Sequence, residues 1–245
     1  MLVGTLDEGL ATSGLVIVSG GNEVRSGPWS GQAQLAAQIA EAGYSAFRFD
    51  RRGVGDSEGP NGEYRLSAPD IAAAIGAFRG ACPHVARIVA VGNCDAASAL
   101  MLAGGAGCDA LILSNPWTIE EETAAPPPPE ALRGHYRQRL ADPAALKRLL
   151  RGEVKLSALF ASLLGAVKPA PPPTGLAQDM AAGIARFAGP VSFLLASRDR
   201  SAQAFLAAWK KDDARIQLCE GASHSFVEPE SREWLLERVL DVLRT

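Results

Sequence analysis

The stretch VAVGNCDAASALML, Val89–Leu102, decides how the rest of the chain is read. It runs from apolar residues through Gly92 into a series of small helix formers, with Cys94 at the tip of the turn. A strand that turns sharply into a helix holds the tip residue in strained backbone geometry, and only small side chains two positions before and two after it avoid collision. Gly92 and Ala96 meet that condition. At a helix start, unpaired N–H groups and the helix dipole favour a thiolate. The turn therefore exposes the sulfur of Cys94 and the helix helps to ionise it, as a nucleophile requires. A free cysteine otherwise behaves as a small buried apolar side chain, which is the reading for Cys82, Cys108 and Cys219.

Working outward from the turn, five short β-rich runs punctuate the chain: Leu15 to Val18, Ala46 to Phe49, Ile88 to Val91, Ala110 to Leu113 and Val191 to Leu195. A sixth spans Arg215 to Cys219. The runs are nearly continuously apolar, and helix-like segments separate the first four, the pattern of a parallel sheet covered on both faces. Apolar stripes at helical spacing mark the cover: Leu35 and Ile39, then Ile71, Ile75 and Phe78, and last Leu235, Val239 and Val242. A chain of 245 residues, 47% hydrophobic, suits one α/β domain with an insertion.

The insertion falls between the fourth and fifth runs. Pro126 to Pro129 and Pro169 to Pro173 bracket a region of helical character without strand signal. Proline runs are stiff and extended, so they suit hinges better than a sheet interior. The expectation is a core of residues 1–117 and 176–245 with a helical cap over 118–175. Leu156, Leu159, Phe160, Leu163 and Leu164 would give the cap one apolar face, either closing its own core or lining an acyl pocket.

In open α/β sheets the working groups sit at the carboxyl ends of the strands. After the fifth run comes Asp199, a carboxylate able to orient an imidazole, and after the sixth comes His224 on a loop before the final helix. Nucleophile, acid and then histidine is a chain order known for catalytic triads. The other histidines, His84 and His135, follow no late strand. After the first run, Gly20 and Gly21 let the backbone turn its N–H groups toward the elbow, so Gly21 or Asn22 with Asp95 could form an oxyanion hole. No GxxxxGK[ST] or GxGxxG pattern accompanies these glycines, which removes most support for nucleotide binding. The glycine-rich turn Asp50 to Ser57 reads as structural, and the doublets Arg51-Arg52 and Lys210-Lys211 as solvated surface.

Composition excludes other classes. With 24 basic against 27 acidic residues, a formal charge of −3 and no long basic cluster, the chain has no electrostatic case for nucleic acid or anionic membrane. No apolar window reaches the ~18 residues of a membrane span, and MLVGTLDEGLATSG lacks the pattern of a signal peptide, so a cytoplasmic protein is expected. Four cysteines without CxxC spacing argue against a disulfide framework or zinc site. Neither metal nor organic cofactor is implied, and the oligomeric state is not legible.

Taken together, Gly20-Gly21, the Asp50 to Ser57 turn, the elbow, Asp199 and His224 resemble the α/β-hydrolase superfamily. More narrowly the chain is similar to the exosortase A system-associated hydrolase 1 family, through GGNEVRSG with Arg25, GNCDAASA with its cysteine, NPW at Asn115 to Trp117, HYRQRL and SRDRSAQAF. One departure is Ala96, where the superfamily usually has glycine. The resemblance implies an ester or thioester hydrolase acting on a small acyl substrate, with Cys94 as nucleophile, His224 as acid and base, and Asp199 as orienter. Arg25, Trp117 and Phe160 are candidate substrate contacts, although Arg25 could equally make a structural pair. Acyl transfer, dienelactone-type hydrolysis and a non-catalytic binding scaffold are the alternatives.

Overall fold

The computed structural model describes residues 1–120, 175–210 and 212–245. Almost all of the expected cap, with Phe160 and His135, lies outside them.

Seven strands form one sheet: β1 (Gly4–Asp7), β2 (Ser13–Val18), β3 (Ser45–Phe49), β4 (Arg87–Asn93), β5 (Ala110–Ser114), β6 (Val191–Ala196) and β7 (Ile216–Cys219). Their order is β1-β3-β2-β4-β5-β6-β7. All neighbours are parallel except β1, which pairs antiparallel with β3. The six runs expected from sequence correspond to β2 through β7. The edge strand β1 carries no apolar run and was not expected.

Alternation along the strands sorts the core into two layers. Val16 and Val18 of β2, Ala90 of β4, Leu111 and Leu113 of β5 and Phe193 of β6 face one side. There they meet α2 (Ala68–Ala81), α3 (Asp95–Leu102), α4 (Gly175–Ala185) and α5 (Arg200–Ala208) through residues such as Ile71, Phe78, Leu100, Met180 and Phe205. Leu15 and Ile17, Val89 and Val91, Ile112 and Leu194 face the other side, against Ile39 of α1 (Gly31–Glu41) and Val239 and Leu243 of α6 (Pro229–Arg244). Both faces are covered, which is why the strands read as solid apolar runs.

This winding positions the site. From β2 the chain moves outward to β3, then crosses back over β2 to reach β4. The switch in direction leaves a crevice beyond the carboxyl ends of β2 and β4, where Gly20-Gly21 and Cys94 emerge.

Candidate active site

Cys94 caps the N-terminus of α3 with φ 59° and ψ −124°, a conformation rarely adopted by an L residue other than glycine. The turn is held open by small neighbours. A Cβ added to Gly92 would stand 2.8 Å from the backbone carbonyl carbon of Ala96, and Ala96 is fully buried. Cys94 is partly exposed, whereas Cys82, Cys108 and Cys219 are buried. Burial pushes the Cys108 thiol up to about 12.

The structure brings His224 and Asp199 to this turn. Nδ1 of His224 lies 2.8 Å from Oδ1 of Asp199. The second carboxylate oxygen of Asp199 accepts the Ala202 N–H at 2.9 Å, capping α5. One 7%-exposed side chain thus both starts a helix and orients an imidazole. The hydrogen bond to Asp199, then one to Cys94, raises the His224 imidazolium to about 10, against opposition from burial.

Of the expected oxyanion donors, Gly21 is otherwise engaged: its N–H donates to Oδ1 of Asp95 at 2.6 Å. Asn22 N–H has no acceptor among the described residues, and Asp95 N–H belongs to the first turn of α3, where an α-helix leaves its donors without intrahelical partners. Those two remain as candidates.

Arg51 is a correction. It is not solvated surface but 3% exposed. Its guanidinium donates to the Gly21 carbonyl, to Ser67 Oγ at 3.1 Å and to Asp95 at 3.4 Å, so three segments far apart in sequence supply the acceptors that make its burial tolerable. Arg25 resolves toward the structural alternative. Its guanidinium is tied to Asp50, to Asp56 at 2.8 Å and to Thr5 at 2.9 Å. Those partners lie on and around the β1–β3 edge, leaving the charge already compensated. Trp117 anchors the elbow through its backbone, donating to the Cys94 carbonyl at 3.2 Å and accepting from Ser98 Oγ at 2.8 Å, while its indole packs against the larger core layer.

Two features were not found from sequence. Glu23, in the loop after β2, is a half-buried carboxylate raised by desolvation and by Asp95, with His224 and Arg51 pulling the other way. Asn93 and Asn115 flank the His224 carbonyl, a role that the NPW word does not announce in sequence. A cavity of about 240 Å³ opens between α1 and α6. Ile17, Leu35, Val91 and Phe226 give it apolar walls, with Glu23 and Asn93 also in its lining. Among the described residues no group of His, Cys, Asp and Glu could hold a metal ion, and no helix is long and apolar enough to cross a membrane.

A sheet wound in this order, with a strained turn after β4 and an acid and a histidine after β6 and β7, defines an α/β-hydrolase fold. The chain belongs to the alpha/beta hydrolase family, whose model matches residues 15–238, and hydrolase is the class of activity that goes with it. Similar solved structures include the alpha/beta hydrolase GrgF from Penicillium sp. sh18, at TM-score 0.62 and 18% identity over 99% of this chain and 93% of that one. The Pyrococcus furiosus esterase Pf2001 follows at TM-score 0.59 and 16% identity, covering 96% and 81%. XC6422 from Xanthomonas campestris, an a/b serine hydrolase without lid, matches at TM-score 0.59 and 14% identity over 100% and 90%. At these identities the likeness is one of fold. No curated protein sequence matches the chain.

Proposed function

We propose that the protein hydrolyses an ester or thioester through Cys94, His224 and Asp199. The observation that carries this is one imidazole shared between the Asp199 carboxylate and a thiol on a strained, partly exposed turn. The proposed cycle starts from the thiolate form of Cys94 beside a protonated ring, the form of His224 that Asp199 favours. The thiolate attacks the acyl carbon, and the carbonyl electrons move onto oxygen, facing the Asn22 and Asp95 N–H groups. Collapse of the adduct expels the alcohol or thiol, which takes the proton of His224. The neutral ring then removes a proton from water, hydroxide attacks the acyl-enzyme, and release of the acid restores thiolate and imidazolium. The cavity between α1 and α6 is not lined by Cys94, Asp199 or His224 themselves but reaches their neighbours Asn93 and Ser225, and in this reading an acyl chain extends from the elbow into it.

Within the family, the narrower kinship with exosortase A system-associated hydrolases is part of this proposal and rests on sequence words alone. A cytoplasmic setting belongs to it too, since a reducing compartment keeps a nucleophilic thiol usable.

The test is intact mass spectrometry after exposure to a panel of acyl thioesters and activated esters. The wild type should gain one acyl mass, which Cys94→Ala abolishes together with turnover while its melting curve stays intact. Iodoacetamide should label Cys94 before the three buried cysteines. A Cys94→Ala variant that still turns over substrate removes the nucleophile and favours the binding-scaffold reading.

A further inference from the structure

We infer that Asn115 and Asn93 are positioning residues for this reaction: their side-chain amides grip the backbone carbonyl of His224 and so set where its imidazole stands above the elbow. The inference rests on the hydrolase reading of Cys94, Asp199 and His224.

The amide orientations follow from chemistry. The Ala196 N–H can only donate, and it reaches Oδ1 of Asn115 at 2.8 Å, so the oxygen must face that way. Nδ2 of Asn115 then points at the His224 carbonyl, which can only accept, at 3.0 Å, and at Oδ1 of Asn93, also 3.0 Å. With its oxygen committed to Asn115, Asn93 has only Nδ2 left, and this donates to the same His224 carbonyl at 3.2 Å. The self-consistent assignment leaves no atom of either amide free to flip.

Placement gives the pair its meaning. Asn93 is the last residue of β4, one peptide bond before Cys94. Asn115 follows β5 and ties down the last residue of β6, three before Asp199. The two amides therefore join the three segments that carry the nucleophile, the acid and the histidine. Asn115 is fully buried and adopts φ 45°, a left-handed conformation that asparagine tolerates better than most residues. Asp199 fixes the ring at Nδ1 and the amides fix the backbone beneath it. Only with both does the ring stay at the thiol, and a displacement of about 1 Å at a reacting pair can cost on the order of 100-fold in rate.

The experiment follows the His224 ring titration by NMR, assigned by comparison with His224→Gln, alongside steady-state kinetics and melting curves. Asn93→Ala removes the partly buried partner. Asn115→Gly removes the buried amide while easing the left-handed backbone, and if it fails to fold, Asn93→Ala alone decides. In the wild type the ring should hold its proton to about pH 10. In the variants the midpoint should move down toward the ordinary imidazole value as the ring leaves Asp199 and Cys94, and kcat should fall at least about tenfold with KM little changed. A wild-type titration midpoint in both folded variants overturns the inference, and so does lowered melting with an unmoved titration, which marks a merely structural role. Because the titration needs no turnover, a wild type that lacks Cys94-dependent activity would sink the hydrolase reading and still leave the clamp decided.

Discussion

The proton on His224 ties the proposed chemistry to stability. Its imidazolium is raised to about 10, first by Asp199 and then by Cys94, against an unfolded value of about 6.5. A base whose folded value is raised contributes stability that is fully present below the unfolded value and is lost as pH rises through the folded one. The melting-temperature gap between wild type and His224→Ala should therefore be widest near pH 6 and shrink by pH 10.5. The side chain is 39% exposed, so solvent screens part of the effect. Asp199→Ala should cost more at neutral pH, because it also strips the cap from α5, a loss of about 1 kcal/mol in denaturant unfolding. As candidates, Cys94, Asp199 and His224 could be picked out because each stands just past a strand in an order that chemistry constrains. Arg51 could not, since nothing local marks an arginine whose acceptors, Gly21, Ser67 and Asp95, come from three segments distant in sequence. Asn93 and Asn115 were illegible for the same reason.

Among the elements, the β4–α3 turn is the most demanding. Alanine at position 92 would drive its methyl against the Ala96 carbonyl, so α3 must shift or the turn must open. Gly92→Ala should lower stability by about 1–3 kcal/mol in urea titration and slow Cys94 alkylation as the turn relaxes. The strands around it were readable because burial on both faces leaves unbroken apolar runs. The edge strand β1, Gly-Thr-Leu-Asp, escaped because it is short, mixed in polarity and held by pairing with β3 rather than by its own pattern. The cavity between α1 and α6 could not be read either, since helical stripes announce buried faces and not gaps between them. If the cavity takes the acyl group, Leu35→Trp should reduce kcat/KM for long-chain esters severalfold and leave acetyl esters near wild type, measured over a chain-length series.

Across the whole molecule, the order of the strands is what places the site, and apolar runs do not reveal order. Arg51 spans the resulting crevice, joining the loop after β2, the residue before α2 and the start of α3. Arg51→Leu should lose about 2–3 kcal/mol of unfolding free energy, because it leaves the Asp95 carboxylate and the Gly21 carbonyl without their cation. The rate of Cys94 alkylation should change with it if the loop after β2 moves. The grip of Asn93 on the His224 carbonyl closes a span of 131 residues, and a chain made from its N-terminus can complete the elbow long before the histidine exists. Any translation product ending short of position 224 would carry the thiol without the imidazole. In the proposed cycle, catalytic competence then waits on the segment that carries His224, and a nascent chain that has not yet reached it is spared premature acylation.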